Sequence, residues 1–187
     1  PGVAGPFTFE PASANPSSCL DYFNGAASPN YAYIILYITQ GGDLNLLIDG
    51  NVANGFLDVA IFDITGENDP CASLGVGTEL GCNYATNQNG CNQFGTAFPC
   101  TSTVPAPTVN TGDVIMILVE DYDDVMTSFT LELGSTPGSA ETGPPDATID
   151  TPPTVCATGA PIQLTAADNG GVWSGPGMSP TGEFDPG

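Results

Sequence analysis

The chain of 187 residues sets 21 Asp and Glu against no Lys, Arg or His, for a formal charge of −21. Without a cation it cannot neutralise phosphate, which excludes nucleic-acid binding and attachment to anionic lipid through a basic patch. The same lack excludes acid–base catalysis by His or Lys and any Ser-His-Asp or Cys-His arrangement. Hydrophobic residues make up 41% of the chain and charged residues only 11%, so a core can form despite the charge. With 18 Pro and 24 Gly, the composition suits many short strands joined by turns. No apolar run approaches the ~20 residues of a membrane span, so no membrane insertion is expected.

In chain order, residues 1–10 read as one strand with Phe7 and Phe9 on a shared face. Residues 11–30, rich in Pro, Ser, Ala and Asn, read as a connection. Tyr31 to Thr39 carries the strongest β-signal, aromatic and β-branched throughout. Gly41-Gly42 turns the chain, and Asp43 to Asp49 alternates polar and apolar as a half-buried strand does. Asn54-Gly55 marks the next turn and Phe56 to Ile64 the next strand. Residues 65–112 hold four of the six cysteines with little apolar periodicity, and read as a long stapled loop with one short strand near Glu79–Tyr84. Strands return at Asp113–Glu120 and Ser128–Leu133, around the acidic turn Asp121-Tyr122-Asp123-Asp124. Residues 135–146 read as a linker by composition, and a second domain with a strand at Pro161–Ala166 follows. Helical periodicity of useful length is absent. The expected fold is all-β, with tandem β-sandwich modules, disulfide staples and almost no helix.

Six cysteines, no CxxC and no His disfavour a zinc site and favour disulfides in an oxidising exterior. Spacing ranks Cys71–Cys82 and Cys91–Cys100 first, each closing a short loop. Cys19 and Cys156 would then staple the divided β-domain, within the chain or between successive repeats, with a free buried thiol at one or both positions as the alternative.

The last residues contain the only Trp, in Gly170-Gly171-Val172-Trp173-Ser174-Gly175, followed by Gly182-Glu183-Phe184-Asp185-Pro186. Read end to start, the text runs GEFDP-GVAGPFTFEP, a turn into an alternating strand, and the chain is expected to be about one period of a tandem repeat. On that reading residues 1–16, through Phe7 and Phe9, complete a domain of a neighbouring repeat or subunit. Residues 17–134 form the central module, and 147–187 are the first part of the next domain. The segment from Cys156 through Pro161-Ile162-Gln163-Leu164-Thr165 and the Trp173 stretch to Pro186, continued by Val3 to Phe9, resembles the Ig-like repeats of giant secreted surface adhesins of gliding Bacteroidetes. The central module is loosely similar to β-sandwich domains of the pre-peptidase C-terminal type. The similarity rests on Gly42-Asp43-Leu44-Asn45-Leu46, the Cys71–Cys82 stretch, Gly112 to Val119 and Phe129-Thr130-Leu131. These resemblances imply a non-catalytic, adhesive or accessory role; the complete lack of basic residues departs from relatives.

Glu120, Asp121, Asp123 and Asp124 form the densest carboxylate cluster, and such turns supply oxygen ligands to Ca²⁺. The alternative is a solvated hairpin tip. Asp63, Glu67 and Asp69 form a second such group. Calcium is the one cofactor the pattern suggests. Paired carboxylates could hydrolyse glycosides, but any two of 21 acids fit that description, so no enzyme is expected and no catalytic residue is assigned. Trp173 reads as a core aromatic, with carbohydrate stacking as the alternative. Tyr31, Tyr33 and Tyr37 share one strand face by period 2, for packing or as a sugar platform. The expected function is a structural repeat of an extracellular filament or adhesin stalk on a bacterial surface, whose partners are copies of itself. The alternative is a module binding carbohydrate, such as surface glycans, or another partner.

Overall fold

The computed structural model describes residues 3–8, 10–11, 20, 30–67, 69, 74, 78–84, 90–123, 125–144, 147–156, 159–167 and 172–187. Among them there are strands and no helix. In chain order the strands are β1 (Val3–Phe7), β2 (Glu10–Pro11), β3 (Asn30–Gln40), β4 (Gly42–Asp43) and β5 (Leu46–Gly50). Next come β6 (Leu57–Asp63), β7 (Glu79–Asn83), β8 (Cys91–Phe94), β9 (Thr103–Val104) and β10 (Thr108–Val109). The series closes with β11 (Val114–Asp121), β12 (Phe129–Leu133), β13 (Glu141–Thr142), β14 (Ile162–Gln163) and β15 (Glu183–Phe184). The chain divides into two compact units, Pro1–Gly143 and Pro144–Gly187.

The first unit has two main sheets. One runs β1-β12-β5-β8-β9; the other runs β13-β3-β11-β6-β7, with β2 also paired to β3. The chain passes between them repeatedly, from β3 to β5, β5 to β6, β7 to β8 and β11 to β12. Both sheets feed one core. Ala32, Ile34, Ile38, Leu57, Val59, Ile61, Ile115, Ile117 and Val119 come from the six-stranded sheet, and Leu46, Ile48, Phe94, Phe129 and Leu131 from the five-stranded one. This is a sandwich-like arrangement, in which alternate residues of each strand face inward. Burying each such Ile or Leu stabilises the fold by about 1.5–3 kcal/mol.

The two sheets differ in how their other faces are used. On β5, Leu46 and Ile48 face the core while Asp49 is exposed, which is the alternation of a half-buried strand. On β11 and β6 both faces are covered. Met116, Leu118, Ala60 and Phe62 join Tyr31, Leu20 and Ile64 in a second cluster on the opposite side of the sheet. The unbroken apolar run Ile115–Val119 follows from this, because each of its positions is buried on one face or the other.

Several expectations need correction. The stretch 65–112 is more than loop. Besides the expected short strand, which is β7, it supplies β8, β9 and β10, and β8 is an inner strand between β5 and β9. Part of the expected linker is also structured. β13 pairs with β3 at Gln40 and Ile38, Ser139 bridges Asp43, and Ala140 is buried, so the first unit extends to Gly143. Residues 1–10 are not one strand. β1 is antiparallel to β12 of the same chain, with Val3 opposite Glu132 and Phe7 opposite Phe129, whereas β2 pairs with β3 in the other sheet. Pairing satisfies the free edge of β12, and the Phe7 ring covers Phe129 at 5.4 Å, so in this structure Phe7 serves its own chain's core. Phe9 lies outside the described residues.

The second unit is thin. Its ladder is the β14–β15 pair, joined by bridges at Ile149–Ala166 and Met178–Phe184. Gly182 has φ +90° and a Cβ there would stand 2.8 Å from Trp173 Nε1, so the indole lies against a residue that only Gly can supply. Trp173 is half-buried, short of the core position expected for it.

Candidate functional site

The acidic turn follows β11, and strand geometry divides its members. Glu120 and Asp121 are neighbours in an extended strand and point to opposite faces. Glu120 lies opposite Tyr31 on one side and Asp58 on the other, giving a Tyr31–Glu120–Asp58 row across the sheet. Both carboxyls are buried, at 2% and 1% exposure, in a chain with no basic residue to pair with them. Asp121 Oδ2 accepts the Met126 N–H at 2.8 Å, and Asp123 Oδ1 accepts the Phe56 N–H at 3.3 Å. Asp121 and Asp123 therefore each hold a backbone N–H, and Glu120 points to the opposite face from Asp121; Asp124 lies outside the described residues. In the second group Asp63 Oδ1 caps Thr65 N at 2.9 Å, while Glu67 and Asp69 are exposed. Among the described residues no group of three or more His, Cys, Asp or Glu could hold a metal ion.

The cysteine-rich region is fastened by one disulfide between described residues, Cys91–Cys100, and by buried amides around it. Asn92 Nδ2 donates to Leu57 O and Asn83 O, both at 2.8 Å. Asn83 Nδ2 donates to Gln93 O and Ser102 O at 2.9 and 3.2 Å. Gln93 Nε2 donates to Thr103 Oγ1 at 2.7 Å and also to Cys100 O. Asn92 belongs to the five-stranded sheet and its two acceptors to the six-stranded one, so this side chain ties the sheets together. Sequence reading missed Asn92 and Gln93, because Cys-Asn-Gln-Phe shows no strand alternation when buried polar groups replace apolar ones, and Asn83 at the end of the expected strand near Glu79–Tyr84 carries no signal of its role. Cys82 is also disulfide-bonded. The expected Cys71–Cys82 pairing and Cys19 lie outside the described residues. Cys156 is a free thiol and is exposed, whereas the alternative to the staple had it buried.

Two aromatic surfaces are built by the fold. In the first, Tyr31, Tyr33 and Tyr37 do lie on one face of β3, opposite Glu120, Leu118 and Val114. Tyr31 is fully buried in the second cluster, whereas Tyr33 and Ile35 are about half exposed. Beside them runs an open cleft of about 400 Å³ lined by Pro6, Phe7, Thr8, Tyr31, Ala32 and Tyr33. The second surface brings together Phe56, Tyr84 and Tyr122, three residues remote in sequence. Phe56 precedes β6, Tyr84 follows β7 and Tyr122 follows β11. Since β6 is antiparallel to both β7 and β11, those positions fall at one end of the sheet.

These features define an all-β, sandwich-like protein with a disulfide-closed side and solvent-facing aromatic surfaces. No protein-family model matches the chain, and neither a curated protein nor a solved structure matches it.

Proposed function

We propose that this chain is a structural repeat of an extracellular filament or adhesin stalk, built from tandem Ig-like β-sandwich modules. The observation that carries the proposal is the second unit. Among its described residues no hydrophobic side chain is buried; Ile162, Leu164, Trp173, Met178 and Phe184 are half-buried, and Ile149 and Val172 are 52% and 82% exposed. A unit of this size without a core is not stable alone. It needs further strands, as a domain divided between repeats would; for residues 1–11 of a following copy to supply them, β1 and β2 must leave their pairing with β12 and β3. Disulfides, and the absence of any Lys or Arg for trypsin-like proteases, suit an exposed, oxidising location.

The test uses the single Trp. Two copies joined in one polypeptide should bury Trp173 at the junction, so part of the fluorescence shifts to shorter wavelength and resists acrylamide quenching. Emission and quenching identical to those of a single copy would defeat the proposal. The cleft lined by Phe7, Tyr31 and Tyr33, beside exposed Ile35, favours a second reading as a carbohydrate-binding module. Saturable binding of a neutral oligosaccharide that is lost in Tyr33→Ala would support it.

A further inference from the structure

The corner formed by Phe56, Tyr84 and Tyr122 is not explained by the repeat architecture. Tyr122 is its shared wall. Its ring stands 6.0 Å from Phe56 at an interplanar angle of 77°, and 6.3 Å from Tyr84 at 76°. Tyr84 and Tyr122 remain 41% and 42% exposed, a wide opening for two large aromatic rings placed side by side. The backbone holds the corner in place. Tyr122 N–H donates to Phe56 O at 3.3 Å, and Phe56 N–H donates to the Asp123 carboxylate at 3.3 Å. One carboxylate is thus fixed at this corner through the backbone of Phe56.

We infer that this corner binds a small organic cation with an alkylated ammonium head, such as a trimethylammonium group. Aromatic faces are negative at the centre and attract cations, most strongly when several rings stand at right angles around one charge. Alkylation matters because a bare ammonium keeps its water, whereas methyl groups lose little on leaving water and gain by contact with the rings. Charge decides between candidate ligands. The chain carries −21 and no basic residue, so it repels anions and concentrates cations at its surface. The perpendicular walls also disfavour a sugar ring, which stacks best on flat, exposed aromatic faces. The inference is independent of the repeat proposal and would survive its failure.

The experiment is a titration of the full chain with tetramethylammonium chloride at constant ionic strength, followed by the NMR shifts of the tyrosine rings. Sodium chloride, ammonium chloride and 3,3-dimethylbutan-1-ol, a neutral mimic of choline, serve as comparisons. The expected result is saturable shifts at Tyr84 and Tyr122 with tetramethylammonium, about fivefold weaker binding in Tyr122→Ala, and near-normal binding in Tyr122→Phe. Asp123→Asn should weaken binding less than Tyr122→Ala does. Tyr84→Ala gives the same test should Tyr122→Ala fail to fold. Equal binding of the neutral alcohol, shifts that follow sodium or ammonium equally, or tetramethylammonium binding unchanged in both alanine variants would overturn the inference. Binding of glucose in place of tetramethylammonium would also overturn it.

Discussion

Asn92 is the most demanding test of how the first unit is held together. Its carboxamide is fully buried and donates to Leu57 O and Asn83 O across the gap between sheets, each at 2.8 Å. Asn92→Ala removes both bonds and leaves two carbonyls dry. A hydrogen bond contributes about 0.5–1.5 kcal/mol net, and stranding a buried partner raises the loss toward 1–3 kcal/mol. The two together give an expected loss of about 3 kcal/mol, a large share of the 5–15 kcal/mol that is typical of a domain. Asn92→Asp should cost more, since a carboxylate has the same shape but cannot donate and adds a buried charge. Asn51 makes its side-chain bonds at the surface, to Thr127 and Ser128, and Asn51→Ala should cost less than about 1 kcal/mol. Urea unfolding followed by far-ultraviolet circular dichroism measures all three. An Asn92→Ala loss below about 1 kcal/mol, or an Asp variant as stable as the wild type, would refute the bridging role.

Replacing Cys91 and Cys100 with Ser should lower stability by about 2–3 kcal/mol, the loop-closure value for a separation of 9 residues, as read from denaturant midpoints without reductant. Ile117→Ala in the core should cost about 2–5 kcal/mol, and Ile35→Ala at an exposed position less than about 0.5 kcal/mol, in the same assay. Gly90→Ala should destabilise by more than about 2 kcal/mol, because φ is +68° and the new Cβ would meet Val52 O at 2.5 Å. Gly138→Ala, with φ +89° and open space around it, should lose only about 1–2 kcal/mol. Glu120→Gln replaces one of two adjacent buried carboxyls with a neutral amide, which lowers the cost of ionising Asp58, and should raise the urea midpoint at neutral pH; a fall that appears only when calcium is present would identify Glu120 as a ligand instead.

How much of this the sequence disclosed depends on what each strand buries. The runs at Phe56–Ile64 and Asp113–Glu120 were legible because β6 and β11 are apolar on both faces, and Tyr31–Thr39 because its aromatic and β-branched residues favour strands even where Tyr33 and Ile35 are half exposed. Asp43–Asp49 was legible through its alternation. β8 was not, since Asn92 and Gln93 are buried by hydrogen bonds that no pattern of hydrophobicity records. β13 was hidden by Gly and Pro in its surroundings, although its pairing with β3 is a two-residue matter of register. The acidic turn was visible as a cluster, but strand alternation sends Glu120 and Asp121 to opposite faces, and Asp58 joins Glu120 from another strand. The corner of Phe56, Tyr84 and Tyr122 depends on antiparallel registry between three strands and could not be read from spacing.

The central claim, a covalent repeat, is tested most directly by the intact mass of the reduced, unfolded protein from its native source, by light scattering under denaturing conditions. A covalent repeat has a mass many times the 19.0 kDa of this chain. A mass near 19.0 kDa, or a longer chain in which this pattern of strands and cysteines occurs once, would contradict it.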